Sequence, residues 1–153
     1  MKPTYRQAAL AALLTVCAAQ AQPVAVPQAP ASAAQAQEKE TIGRVTAQAW
    51  LVLLDRRDWG VAWDNASDLF HKRVPLGNWM DAIPKVREPY GVLVDREVAQ
   101  VVYKTTLPGF PSGGDYVTVI FKSKFDKKAD VTEIVTTMRE PDGRWRVTGY
   151  QPG

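Results

Sequence analysis

The spacing of apolar residues changes once along the chain, from a period of about 3.6 residues to a period of two. Helical spacing begins near Glu38, where we expect the ordered domain to start. The first predicted helix has one apolar face, which we expect to be buried and which comprises Ile42, Val45, Ala49, Val52 and Leu53, widened by Trp50 and Leu54. Gly60 then marks a break in this pattern.

Two shorter helices are predicted after the break. The second helix has Trp63, Ala66 and Phe70 on its apolar side. Pro75 fits the first turn of the third helix, whose predicted buried residues are Leu76, Trp79, Met80 and Ile83. Pro84 is expected to end or kink this helix, because proline cannot donate the helical hydrogen bond and crowds the preceding turn.

Alternating apolar and polar residues predict four strands in the second half of the chain, over residues 98–106, 116–125, 131–139 and 145–150. The run Glu140-Pro141-Asp142-Gly143 predicts a tight turn before the last strand, since glycine is free to adopt a positive φ. Helices followed by an antiparallel sheet form an α+β pattern. We therefore expect three N-terminal helices packed in a curved antiparallel sheet of four or more strands.

The first 21 residues have the pattern of an export signal. Lys2 and Arg6 form a basic start, residues 8–18 are apolar, and Ala19-Gln20-Ala21 suits cleavage by signal peptidase. The apolar run is too short for a permanent membrane anchor. We therefore expect a periplasmic or secreted protein without a transmembrane span, divided into a signal peptide (1–21), a disordered Ala/Gln/Pro linker (22–37) and a single domain (38–153).

The only cysteine, Cys17, lies inside this apolar run. Cleavage after Ala21 removes it, so the mature chain would have no disulfide and would depend on its packed core. The alternative is a lipid anchor on Cys17. Leu14 fits the −3 position of a lipoprotein signal, whereas Val16 is a poor residue at −1.

The charge of the chain does not indicate a polyanionic partner. It has 19 basic and 16 acidic residues, and two of the basic residues leave with the predicted signal. The remaining balance is close to neutral, so we expect no nucleic-acid partner. We also expect no metal and no cofactor, because His71 is the only histidine and lies at a charged helix exit.

The order of several residues resembles the domain-of-unknown-function family 4019. In the first half these are Trp50-Leu51, Asp55, Trp63, Ala66-Ser67, Phe70, Trp79, Arg87, Pro89, Gly91 and Arg96. In the second half they are Leu107-Pro108-Gly109, Tyr116, Glu133, Asp142-Gly143-Arg144-Trp145-Arg146-Val147 and Gly149-Tyr150. The resemblance covers about residues 46–151 and implies an exported bacterial domain with a nuclear transport factor 2-like (cystatin-like) cone. It implies no established activity.

Cone domains often hold a cavity, and the enzymes among them place a carboxylate base and a tyrosine donor there. The candidate bases are Glu97, Asp115 and Glu133, and the candidate donors are Tyr103 and Tyr116. Glu133 stands out because its strand is mostly apolar; the alternative is an ion pair with Arg87 or Arg96. The candidate ligand-pocket residues are Trp63, Trp79, Arg87, Tyr103, Tyr116 and Glu133. For Trp50, Trp63 and Trp79 we favour core packing.

The leading hypothesis is a non-enzymatic exported module that binds an unknown small ligand or an envelope protein. One alternative is a small isomerase- or dehydratase-like pocket enzyme that uses a buried carboxylate and a tyrosine. Another is an envelope lipoprotein with a structural role. We also consider a homodimer formed through the sheet. An open interior would favour the enzyme, whereas an interior filled by tryptophans would oppose it.

Overall fold

The computed structural model describes residues 31–153; the predicted signal peptide and residues 22–30 of the predicted linker lie outside them. The helices are α1 (Ala31–Asp55), α2 (Trp59–Asp64), α3 (Asp68–Arg73) and α4 (Leu76–Arg87), followed by a short 3₁₀ helix (Glu88–Tyr90). The strands are β1 (Leu93–Lys104), β2 (Tyr116–Phe125), β3 (Val131–Arg139) and β4 (Trp145–Pro152). In the described part of the chain, no helix is both long enough and apolar enough to cross a membrane.

The four strands form one antiparallel meander in the order β1-β2-β3-β4, which confirms the α+β class and the predicted antiparallel sheet. Alternate residues of β2 turn inward, and Val117, Val119, Phe121 and Phe125 are buried. Helix α1 packs across all four strands. The core therefore lies between α1 and the inner face of the sheet.

Helix α1 differs from its prediction in length and in orientation. Its described part starts at Ala31, and residues 31–37, which fall within the predicted linker, are helical. The residues that face the sheet are Gly43, Ala47, Trp50, Leu51 and Leu54, whereas Ile42, Val45, Ala49 and Val52 are exposed. Both sides of the helix are apolar, and the side that packs on the sheet is the one that carries the small residues Gly43 and Ala47. A Cβ on Gly43 would lie 2.4 Å from the Cβ of Val117, so only glycine allows this close approach.

The predicted second helix is interrupted, so residues 31–153 contain four α-helices instead of the predicted three. Ala66 pairs with Val147 of β4, and the Ser67 N–H donates to the Val147 carbonyl at 2.8 Å. The Ser67 hydroxyl then accepts a hydrogen bond from the Phe70 N–H at 3.1 Å and caps α3. This contact with the sheet edge ends α2 and starts α3.

Helix α4 continues through Pro84 to Arg87, so the proline does not end the helix as predicted. Arg87 in its last turn is buried and held by ion pairs, which stabilise the turn despite one missing backbone donor. Trp79 and Ile83 are buried as predicted. Leu76 and Met80 are exposed, because the buried stripe continues to Arg87 instead.

The boundaries of β2 and β3 match the prediction, β4 extends to Pro152, and β1 starts five residues before the predicted strand. Register irregularities occur in β1 between Leu93 and Asp95 and between Val98 and Gln100. Each irregularity interrupts the alternation of inward and outward side chains, so alternation in the sequence does not identify the start of this strand. The tight turn is confirmed: Gly143 has a φ of 82° and its N–H donates to the Glu140 carbonyl.

Candidate functional site

The most unusual group of side chains is a buried ionic cluster around Glu133. Helix α1 contributes Asp55 at its last residue, α4 contributes Arg87, β1 contributes Arg96, and β3 contributes Glu133. Glu133 has no exposed surface. Its neighbours on the inward face of β3, Val131 and Val135, are apolar and also buried. Glu133 lies there because odd-numbered residues of β3 turn inward.

Both arginines bridge both carboxylates. Arg87 donates a hydrogen bond from Nη1 to Glu133 Oε1 and another from Nη2 to Asp55 Oδ1. Arg96 holds Asp55 with two hydrogen bonds of 2.7 and 2.9 Å and donates its Nε to Glu133 Oε2 at 2.9 Å. Two negative and two positive charges therefore balance, as buried ions require. The ion pair predicted as the alternative role of Glu133 is present with both Arg87 and Arg96.

Two hydroxyl groups complete the coordination of Glu133. Ser123 donates to Oε2 at 2.5 Å and Tyr150 donates to Oε1 at 2.8 Å. Burial raises the pKa of the Tyr150 phenol, and the negative charge of Glu133 raises it further. For Arg96, burial opposes the charged form, but the hydrogen bonds to Asp55 and the charge of Glu133 outweigh it and the pKa of Arg96 is raised.

A second carboxylate–tyrosine pair lies where α1 meets the start of β2. Tyr103 donates to Asp115 Oδ1 at 2.5 Å, and Lys39 donates to the same oxygen at 2.7 Å. Burial raises the pKa of Asp115, but the hydrogen bonds from Lys39 and Tyr103 outweigh it, so the pKa of this carboxyl is lowered. The pair predicted as a base and a donor is therefore an ion-paired tie between α1 and the sheet.

The other predicted site residues do not meet in one pocket. Tyr116 is buried and donates to the Pro111 carbonyl, and Glu97 is exposed on β1. Trp63 is half-buried, stacks on His71 with ring centroids 4.0 Å apart, and donates to the Val74 carbonyl. His71 lies in the last turn of α3, in agreement with the predicted helix exit.

Tryptophan side chains fill the space between the helices and the sheet. Trp50 and Trp79 are buried, with ring centroids 5.9 Å apart, and Trp50 also packs edge-on against Phe70 and Tyr150. Their indole N–H groups donate to backbone carbonyls, so their polar atoms are satisfied. The expected core role holds for Trp50 and Trp79, and the interior is packed rather than open. Within residues 31–153, no group of three or more His, Cys, Asp or Glu side chains is placed to hold a metal ion.

A family model described as "protein of unknown function (DUF4019)" matches residues 46–150. The chain belongs to the DUF4019 family. No curated protein and no solved structure matches it. The matched residues include Asp55, Arg87, Arg96, Glu133 and Tyr150, so the whole ionic cluster lies inside the part of the DUF4019 chain that defines the family.

One concave surface of the DUF4019 domain lies outside the core, between α1 and the β3–β4 hairpin. Two adjoining hollows of about 600 and 680 Å³ share Thr46, Arg144 and Trp145 in their walls. We call them together the outer groove. Ile42, Val45 and Ala49 line it from α1, and Trp145 is half-buried on the opposite side. Charged side chains also line the groove: Glu38, Lys39, Arg139, Asp64 and Arg146 lie in its walls, and the exposed Arg144 lines both hollows.

Sequence reasoning missed two members of the ionic cluster in the DUF4019 domain, Asp55 and Tyr150, and it also missed Ser123, whose hydroxyl donates to Glu133. A usable signal was present for Ser123, because it falls on the inward face of β2 between the buried Phe121 and Phe125. A polar residue on an inward face requires a buried partner. Asp55 follows a buried turn of α1, but its partners are distant in sequence and periodicity does not identify them.

Proposed function

We propose that this DUF4019 protein is a non-enzymatic binding module that holds a peptide segment of an envelope protein in the outer groove. One contrast carries the proposal: the interior is filled, whereas the groove is open. Trp50, Trp79 and the ionic cluster occupy the inner face of the sheet. A ligand of peptide size therefore has access to the groove and not to the core.

The lining of the groove favours an apolar residue next to an acidic one. Trp145 presents a partly exposed ring, which suits an apolar side chain. Arg146 is already neutralised by Glu140 and Asp142, and its hydrogen bond holds the pKa of Asp142 at about 2. Arg144 is exposed and forms no ion pair within residues 31–153, so it is free to bind a carboxylate.

A pocket enzyme of the isomerase or dehydratase type has less support. A general base needs a pKa near the working pH and access to a substrate. The carboxyl of Asp115 has a lowered pKa and is occupied by Lys39 and Tyr103. Glu133 is fully buried and bound by two arginines.

We also infer that the fold is the nuclear transport factor 2-like cone and that the protein is exported. The packing of α1 across all four strands of an antiparallel meander supports the cone. Export rests on residues 1–21. Mass spectrometry of the protein recovered from bacterial cells should show Gln22 as its first residue. An acylated Cys17 would instead identify a lipoprotein, and an intact Met1 would contradict export.

A random peptide library displayed on phage tests the groove. We expect the whole chain to enrich peptides that combine an apolar and an acidic residue. Trp145→Ala and Arg144→Glu should each weaken the best synthetic peptide at least about tenfold, as expected for loss of a central contact. Lys124→Glu, a charge change on the outward side of β2, is the matched control and should leave affinity within about twofold. Failure to enrich any peptide, or equal binding by all variants, would contradict the proposal.

A further inference from the structure

The outward face of α1 carries an apolar stripe that nothing in the described chain covers. Ile42, Val45 and Val52 are 41, 53 and 41% exposed, and Ala49 is exposed between them. We call these four residues the outer stripe. They lie on the side of α1 opposite to the residues that pack on the sheet, because a helix repeats every 3.6 residues or so. The helix is therefore apolar on two opposite faces, and only one of them is buried.

The spacing of the outer stripe is that of a helix-pairing seam. Its residues follow one another at intervals of three, four and three positions, which is the a/d pattern of paired helices. Continuation of the same pattern by four residues in each direction reaches Glu38 and Arg56. Both are exposed, and neither forms an ion pair within residues 31–153. The stripe thus ends in a negative charge on one side and a positive charge on the other.

We propose that the outer stripe pairs with the outer stripe of a second copy of this chain, with the two α1 helices antiparallel. A two-fold axis at the level of Ala47 brings every member of the seam opposite a suitable partner. Val45 then faces Ala49 of the second copy, and Ile42 faces Val52. Glu38 faces Arg56 at both ends, so the interface contains two intermolecular ion pairs. Such an interface is self-complementary, as a closed dimer requires.

Charge selects the antiparallel arrangement over the parallel one. In a parallel pair Glu38 would face Glu38 and Arg56 would face Arg56, which places like charges together at both ends. Thr41 and Gln48 flank the seam and are uncharged, so they oppose neither direction. The apolar contact is four residues long on each helix, which favours a weak dimer with a dissociation constant in roughly the micromolar range.

The pairing stands apart from the peptide-binding proposal, although the two surfaces are neighbours. Glu38, Ile42, Val45 and Ala49 line the outer groove and also belong to the proposed pairing surface, so a second copy would lie along the open side of the groove. Arg56 does not line the groove, and Trp145 is not part of the stripe. Trp145→Ala therefore tests peptide binding alone, and Arg56→Glu tests pairing alone.

Sedimentation equilibrium of the whole chain, over concentrations from roughly micromolar to millimolar, tests the pairing by exchange of charges. The natural chain should form dimers. Glu38→Arg and Arg56→Glu should each raise the dissociation constant at least about tenfold, because each replaces two attractions with two repulsions. The double variant Glu38→Arg/Arg56→Glu restores opposite charges and should return to within about threefold of the natural chain.

A second pair of variants controls for general effects on folding. Val45→Asp should abolish the dimer, whereas Val61→Asp alters an exposed valine of α2 (48% exposed) and should not change it. Circular dichroism should show the same helix content in all variants. A monomer at every concentration would overturn the proposal. An unchanged dissociation constant in Glu38→Arg alone and in Arg56→Glu alone would also overturn it. Single reversals that weaken the dimer without rescue in the double variant would overturn the antiparallel arrangement.

Discussion

Glu133 lies between apolar neighbours, and its five hydrogen-bonding and ionic contacts come from four different elements. Buried ions of this kind add little net stability as a group, but loss of one member leaves its partners unpaired. Arg87 would then keep one carboxylate, Asp55, which it shares with Arg96. Loss of a single charge from the cluster should therefore lower stability more than replacement of all its charges together.

Glu133→Gln should lower the free energy of unfolding by about 3 kcal/mol, because two buried arginines lose half of their compensating charge. Urea unfolding followed by circular dichroism measures this value. Glu97→Gln is the matched control: it makes the same chemical change on an exposed residue of β1 and should have an effect within about 0.5 kcal/mol. Equal stability of the two variants would contradict an ionised, ion-paired Glu133.

Tyr150 gives the domain a characteristic response to alkali. Because burial and the charge of Glu133 raise its pKa, the folded chain keeps the phenol proton at a pH where the unfolded chain releases it. Stability from this residue is complete below the unfolded pKa, near pH 10, and is lost as the pH rises further.

Tyr150→Phe should therefore cost about 1 kcal/mol at pH 8, through loss of the hydrogen bond to Glu133. The difference between natural chain and variant should shrink above about pH 10, where the natural chain loses the contribution of the phenol. Urea unfolding at a series of pH values gives both curves. Parallel curves over the whole range would show that the phenol is not protected from ionisation.

At the scale of elements, the close packing of α1 on the sheet requires a residue without a side chain at position 43. Gly43 lies under Val117, and its backbone approaches too closely for any Cβ. In a solvated helix, alanine would be the better residue by about 1 kcal/mol. Here packing against the sheet outweighs propensity.

Gly43→Ala should destabilise the domain by about 1 to 3 kcal/mol, the usual cost of excess volume in a packed core. Gly77→Ala in the first turn of α4 is the matched control, because a Cβ there meets nothing within 4 Å. This second change should be neutral or stabilising by up to about 1 kcal/mol. Thermal unfolding of both variants gives the comparison; a stabilising Gly43→Ala would mean that α1 does not lie this close to β2.

The same helix shows why periodicity identified the element and not its orientation. Ile42, Val45, Ala49 and Val52 form a regular apolar face, and so do Ala47, Trp50, Leu51 and Leu54. A pattern of period 3.6 cannot choose between two such faces. The choice depends on the fit of Gly43 to Val117, which is a contact between residues far apart in sequence. The predicted start of β1 lies five residues too late for a related reason: the irregular register of the strand interrupts the alternation of apolar and polar residues.

For the whole molecule, the order and class of the elements could be predicted, since each helix and strand carries its own local pattern. The candidate site could be predicted only in part. Glu133 and its two arginine partners follow from residue type, whereas Asp55 and Tyr150 join them through packing of α1 against β1 and of β3 against β4. The outer groove has no sequence signature, because it forms between an exposed helix face and a hairpin.

The ionic cluster has a consequence for how this family can change over time. Its members lie at positions 55, 87, 96, 133 and 150, on five different elements. A lineage that replaces one of them passes through a form with an unpaired buried charge, and selection removes most such forms. We therefore expect related sequences to keep all five residues or to have replaced the charged ones together by apolar residues. The residues at these positions would then vary together among related sequences, even where no single position is invariant.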